Sequence, residues 1–206
     1  MRLAGRFVKL LVGLCLFGFG IWLGLQAHLG VGPWDVLHGG VAKHLGTPFG
    51  RTSIGVSGVV FVIALLARVK PGIGTVLNVV VIGAVIDVFL ASRLLDGVRD
   101  GPLGLRLVTT AAGIASVAVG SALYLGAHLG PGPRDGLMVA IHHRTGWPVG
   151  VARAALECTV LVFGVLLGGP VGVGTVAFAL GIGPAVQLAF RVLHQTPARR
   201  PVEVPL

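Results

Sequence analysis

Charge is what this sequence has least of. Only 11% of its 206 residues are Asp, Glu, Lys or Arg, against 54% hydrophobic residues and a mean hydropathy of +0.93. A soluble globular domain carries about 25% charged residues, so this chain cannot clothe a water-facing surface. Disorder needs low hydrophobicity with high charge, and the same figures exclude it. Cysteine is scarce too. Cys15 and Cys158 both lie in apolar runs, and no CxxC or Cys/His spacing offers a metal site or a disulfide framework. Both read as small packing residues. The long hydrophobic stretches lack apolar/polar alternation, which removes an outer-membrane barrel. Glycine is plentiful at 34 residues but has no three-residue period, so collagen is out. HExxH and GxSxG are absent, and the His142-His143 pair has no partner set for a metal. The expectation is an integral membrane protein that is not an enzyme and holds no cofactor and no metal.

The formal net charge of +9 arises from 13 Arg and three Lys against seven acids. A basic balance can signal nucleic acid. Here the cations flank apolar segments instead of lining one soluble face, so no nucleic-acid partner is expected; the partner is the lipid bilayer. The excess of Arg over Lys, with abundant Ala, Val and Gly, fits a GC-rich bacterial genome.

Crossing the hydrocarbon core takes about 20 mostly apolar residues. Six stretches qualify: 6–26, 49–67, 73–94, 105–126, 148–167 and 173–193. Two others, 34–45 and 134–145, are too short and too polar to span. Each opens with Gly-Pro and places an Asp in the first turn, where proline and an anion favour a helix start. In the first, Trp34, Leu37, Val41 and Leu45 share a face away from Asp35, His38, Lys43 and His44. An amphipathic interfacial helix or a re-entrant one fits. The N-terminal run is signal-like, but it is long and its counterpart lies mid-chain, so it reads as a retained first span.

That counterpart belongs to an internal repeat. Residues 27–35 (AHLGVGPWD) recur at 127–135 (AHLGPGPRD), 46–50 (GTPFG) at 146–150 (GWPVG), and 72–76 (GIGTV) at 172–176 (GVGTV), all at an offset of 100. The chain therefore divides into a first three-helix repeat, 1–100, a second, 101–195, and a short cytoplasmic tail, 196–206. An odd number of spans per half turns the second half upside down. With the N-terminus in the cytoplasm, 11 cations fall inside and five outside, as the positive-inside rule asks. The expected fold is an all-α membrane protein of six transmembrane helices, two inverted three-helix repeats each with an extra short amphipathic or re-entrant helix. Both termini are cytoplasmic.

The motifs at 28–35, 46–50 and 71–75, with Asn78, Gly83 and Asp87, resemble the YczE/YyaS/YitT family of bacterial integral membrane proteins, its YczE branch in particular. The likeness covers nearly all of the chain before about residue 193. It implies a multi-pass protein of the bacterial cytoplasmic (inner) membrane that acts as a transporter. The association of YczE-like proteins with aminotransferase-like regulators that bind pyridoxal phosphate implies amino-acid or vitamin chemistry nearby. The family supplies no catalytic residues to carry over. The second half departs from the first with Arg134 for Trp34, Phe178 for Asn78 and Gln187 for Asp87.

Asp87 and Glu157 head the candidate site residues, because each falls near the middle of an apolar stretch. An ionisable group at the bilayer centre costs about 2.5–3.5 kcal/mol on insertion scales and marks function by default. They are expected to couple transport to protons or cations, although Arg153 is placed to pair with Glu157 one turn away. Asn78 would bind substrate through its amide, and Gln187 is counted with these as the equivalent of Asp87. The repeat motifs add His28, Gly32, Pro33 and Asp35 with His128, Gly132, Pro133 and Asp135, whose broken-helix geometry offers helix ends to a substrate or simply caps short helices. Gly74 and Thr75 with Gly174 and Thr175 open spans whose free N–H groups suit an anion. Small-residue stripes at Gly20/Gly24, Gly164/Gly168 and Ala112/Ser116/Gly120 support compact packing or a homodimer. The expected function is secondary transport of a small polar metabolite. The alternative is a non-transporting membrane partner, a regulatory or substrate-capturing subunit of a larger complex.

Overall fold

The structure is a computed structural model that describes residues 3–69, 71–147 and 149–194, the surroundings of residues 139, 149 and 150 excepted. The expected tail at 196–206 and the cations Arg2, Lys70, Arg199 and Arg200 lie outside the described residues. Eight α-helices follow one another: α1 (Leu3–Ala27), α2 (Pro33–Leu45), α3 (Phe49–Leu66), α4 (Ile73–Ser92), α5 (Leu103–Leu125), α6 (Pro133–Thr145), α7 (Val149–Leu166) and α8 (Val173–Val192). A 3-10 turn at Asp96–Val98 bridges α4 and α5. Among the described residues there is no strand. Each helix of the first half has its counterpart 100 residues on, and only α1 and α5 differ in length.

At 1.5 Å per residue α1 is about 37 Å long, more than the roughly 30 Å of hydrocarbon in a bilayer. By length and composition, α1, α3, α4, α5 and α8 are each able to cross a membrane, among the described residues. α7 matches α3 in length but opens at residues whose surroundings are not described. Large apolar side chains point outward along these helices: Val88 is 68% and Leu180 74% exposed, with Val12, Val59, Val80 and Val108 in the same situation. In water such a surface would aggregate; it is a lipid-facing surface.

α1 and α5 form the centre. Gly13 lies against Gly120 and Gly20 against Gly113, so the two helices run antiparallel with their backbones in near contact. Ser116 tightens the seam by donating to the Leu16 carbonyl at 2.8 Å. Leu10, Leu14 and Ile21 of α1 bury against Val117, Ala118 and Ala122 of α5, with Ile82 and Ile86 of α4 and Ile182 of α8 completing the core. α4 packs on α1 and α8 on α5. The short helices cross over, α2 onto α7 of the other half and α6 onto α3.

Two expectations need correction. Gly168 does not belong to a packing stripe: it takes φ 69° just beyond the end of α7, the left-handed conformation that stops a helix. Of the other small residues, Gly20, Ser116 and Gly120 pack between α1 and α5 and Gly164 against Leu37 of α2, whereas Ala112 is exposed. The amphipathic reading of α2 holds only in part: Trp34 is buried and Lys43 and His44 are exposed, but three residues depart from it. Asp35 and His38 are 4% and 0% exposed, whereas Leu45 is 67% exposed. Asp35 and His38 turn inward because other helices, not water, surround the start of α2.

Candidate functional site

The turns of each half dock on the helix starts of the other. The first N–H groups of a helix and its last carbonyls have no partner within the helix, and in lipid each unmet group costs several kcal/mol. Here Gly74 donates its N–H to Leu129 O at 2.8 Å, and Gly174 donates to Leu29 O at 2.6 Å. Arg6 donates to the Ala127 and His128 carbonyls (2.8 and 2.5 Å) at the end of α5. Arg106 does the same for Ala27 and His28 (2.9 and 2.7 Å) at the end of α1. Gly30 and Gly130, at φ 99° and 119°, make the bends that allow this docking. A Cβ on Gly30 would stand 2.5 Å from the Gly172 nitrogen, so no larger residue fits.

The Gly-x-Gly-Thr motifs thus serve the scaffold. Thr75 Oγ1 accepts from Gly72 N–H (3.0 Å) and donates to Pro131 O (2.7 Å), and Thr175 Oγ1 accepts from Gly172 N–H at 3.3 Å. The N–H groups of Gly74, Thr75, Gly174 and Thr175 are all engaged within the protein. These four donors are therefore not free for the expected anion.

Beyond the docked turns, α2 and α6 begin. Pro33 and Pro133 fill the first helical position, and left-handed Gly46 and Gly146 end both helices after 13 residues. At about 20 Å each is too short to cross a bilayer. Both N-termini open on one cavity of about 140 Å3, lined by residues of all eight helices. Gly32 there touches the ring of Phe178, and Gly132 faces the amide of Asn78.

The cavity gathers five charged side chains: Asp35, Arg134, Asp135, Arg153 and Glu157. Arg153 Nε donates to Glu157 Oε1 at 2.9 Å, the helical pairing expected from their spacing. Tyr124 donates its hydroxyl to Asp135 Oδ2 at 2.7 Å. Arg134 lies over the Trp34 ring, 4.7 Å from its centre. Asp35 is nearly buried, with Nδ1 of the fully buried His38 at 3.4 Å, at ion-pair distance but without hydrogen-bond geometry. Ser53, Ser57, Ser121 and Asn78 add polar groups, and Phe17, Ile82, Val117, Phe178 and Ile182 an apolar wall. A comparable engineered cavity of about 150 Å3 takes a benzene-sized molecule. The site therefore suits a solute of about six non-hydrogen atoms with both polar and apolar parts.

Residues 4–191 match the profile of DUF6198, described as a family of unknown function. The chain belongs to this family. It is 37% identical over 188 residues to an uncharacterized protein of Haemophilus influenzae, covering 91% of this chain and 84% of that one. It is 32% identical over 205 residues to the uncharacterized membrane protein YczE of Bacillus subtilis, covering 97% and 94% respectively. The uncharacterized protein YyaS of the same bacterium is 26% identical over 165 residues, 80% of this chain and 82% of its own. No solved structure matches the chain. With its outward-facing apolar helices, this DUF6198 chain is a multi-pass helical membrane protein.

In this DUF6198 chain the sequence-derived candidates separate. Glu157, Asn78, Gly32, Pro33, Asp35, Gly132 and Asp135 line the cavity, and Pro133, fully buried, opens α6 beside it. Asp87 is not among the lining residues. It lies in the last two turns of α4, not at the middle of a span, and its carboxylate accepts from the Gly50 and Arg51 N–H groups at 2.7 and 3.0 Å. That caps the start of α3. Gln187 points outward from α8. His28 and His128 are exposed and occupy turns at φ 49° and 54°. Desolvation, followed by the Arg99 and Arg106 guanidiniums, holds the His28 imidazole below its ordinary titration point, against a smaller opposing effect of Asp100. Sequence reasoning missed His38, Tyr124 and Ser121 as neighbours of the site. The signal lay in the repeat itself: their equivalents are Met138, Gly24 and Ile21. Among the described residues no His/Cys/Asp/Glu cluster could hold a metal ion.

Proposed function

We propose that this protein is a secondary transporter of a small polar metabolite in the bacterial cytoplasmic membrane, and that it works by alternating access between two inverted three-helix repeats. The observation that carries this reading is the cavity at the junction of the two halves, onto which the N-termini of two short helices converge. Transporters of inverted-repeat build place their sites between the repeats, with half-helix ends turned to the substrate. Three long helices per half, antiparallel α1 and α5, and the reciprocal caps from Arg6 and Arg106 support the inversion. With Arg134 and Arg153 set aside as cavity residues, a cation bias of nine to five supports cytoplasmic termini. α2 and α6 are then re-entrant helices that start at the cavity and return to opposite faces.

In this reading Asn78 and Glu157 contact substrate, and Glu157 takes up and releases the coupling proton or cation. Asp87 keeps the start of α3 attached to α4 while the helices move. No enzymatic step is involved. The test is uptake into proteoliposomes carrying an internal pH dye, challenged with small polar metabolites. A solute-dependent acidification that falls at least roughly tenfold in Glu157→Gln supports the reading. Unchanged flux in that variant removes Glu157 from coupling. A cellular phenotype that depends on the exposed His143 and Arg144 at the end of α6 but not on Glu157 favours the non-transporting partner.

A further inference from the structure

The five cavity charges are not equally satisfied. Arg153 and Glu157 hold each other, and Asp135 holds Tyr124. Arg134 and Asp35 remain. Arg134 is oriented by Trp34 but, among the described residues, makes no hydrogen bond and no ion pair. Asp35 is only 4% exposed, and among the described residues its Oδ1 accepts no hydrogen bond, with His38 Nδ1 3.4 Å away. The two share the cavity without pairing with each other. Among the described residues Asp35 has only His38 at 3.4 Å, and the half-buried Arg134 only the Trp34 ring, so each keeps hydrogen-bonding capacity that a ligand of matching charge would fill.

We infer that the cavity binds a small zwitterion, its carboxylate on Arg134 and its ammonium on Asp35. The guanidinium offers a planar pair of donors that matches a carboxylate, and stacking on Trp34 fixes its direction. The N-terminus of α6, which carries Arg134, adds positive potential at the anionic end. Asp35 supplies an anion at the other end, backed by His38. The volume admits about six non-hydrogen atoms, the size of the smallest amino acids. The repeat sharpens the assignment. Trp34 and Arg134 are equivalent positions, as are His38 and Met138, so the second half gained the free cation while the first keeps the imidazole behind its Asp.

This inference rests on the transporter reading of the same cavity, and its test separates the two. Trp34 reports occupancy of Arg134, so the measurement is tryptophan emission of the full chain in lipid nanodiscs. It is titrated with alanine, β-alanine and γ-aminobutyrate, and with the half-ligands propionate and propylamine. At least one zwitterion should give a saturable change with a Kd roughly tenfold or more below that of either half-ligand, equivalent to about 1.4 kcal/mol. Arg134→Gln and Asp35→Asn should each erase that advantage, and Arg134→Lys should restore part of it. Propionate binding as tightly as the zwitterions overturns the inference and leaves transport of an anion standing. So does an advantage that survives both variants. No response to any zwitterion up to about 10 mM also overturns it. The wild-type comparison holds even if a variant fails to fold.

Discussion

Arg6 and Arg106, Gly30 and Gly130, Gly72 and Gly172, and Thr75 and Thr175 are identical in the two halves, and all eight sit where the halves hold each other. Residues 34 and 134, 38 and 138, 53 and 153, 57 and 157, and 78 and 178 all differ, and apart from His38 every one of these side chains lines the cavity. The contrast has a physical origin. Docking a backbone turn on a helix start has few solutions: a left-handed glycine, a hydroxyl at the third helical position, a guanidinium across two carbonyls. Both copies keep them. The cavity keeps Gly32/Gly132, Asp35/Asp135 and Ile82/Ile182 in both copies, but its cations, its glutamate and its amide are not duplicated. Two arginines at 34 and 134, or glutamates at both 57 and 157, would bring like charges together in a low-dielectric site. Divergence gave one wall Trp34, Ser53, Ser57 and Asn78 and the other Arg134, Arg153, Glu157 and Phe178.

The most damaging changes should fall on the symmetric positions and strike both halves alike. Gly30→Ala and Gly130→Ala each force a Cβ into a backbone conformation suited to glycine and against a neighbouring backbone. Each should cost about 3 kcal/mol or more, read as a matched loss of folded yield and Tm in detergent. Loss from only one of the two would break the comparison. Next come Arg6→Gln and Arg106→Gln. Each removes charge-assisted bonds to two terminal carbonyls, and the two should lower stability by similar amounts of about 1–3 kcal/mol.

The asymmetric positions should respond unequally. Glu157→Ser should abolish solute flux, whereas Ser57→Ala should leave it within about twofold of the parent; equal effects would make the cavity functionally symmetric. Arg153→Gln breaks a partly exposed pair within one helix and should change stability by about 0.5 kcal/mol at most. The smallest effect concerns His28. Its folded titration point is depressed, so the unfolded chain binds more protons and stability falls as pH drops through the imidazole range, from about 7 towards 5. His28→Asn retains the left-handed backbone and should make that acid-side loss shallower, seen as a narrower Tm difference between the two pH values.

The eight helices were legible because the apolar runs and the 100-residue repeat are local or periodic signals; each of the observed helices falls within a few residues of its expected stretch. Glu157, Asn78 and Asp35, which line the cavity, stood out in the sequence because a polar group in an apolar or broken-helix setting is visible in one dimension. Asp87 stood out for the same reason, yet its partner is the start of α3, which only the packing of α3 on α4 brings close. The buried face of α2 was misread because amphipathicity assumes water on the polar side. His38 and Tyr124 were invisible as cavity neighbours because their relation to Asp35 and Asp135 depends on how the short helices tuck inward.

The proposed mechanism has the two halves facing opposite ways around one cavity. Its most direct test is side-specific thiol labelling of a chain in which the exposed Cys15 and Cys158 are replaced. One variant carries a cysteine at the exposed His44 position, a second at Arg144. An impermeant reagent applied to intact cells should label position 44 and leave position 144 unlabelled until the membrane is opened. Equal labelling at both positions would mean that the halves are parallel and would contradict the account.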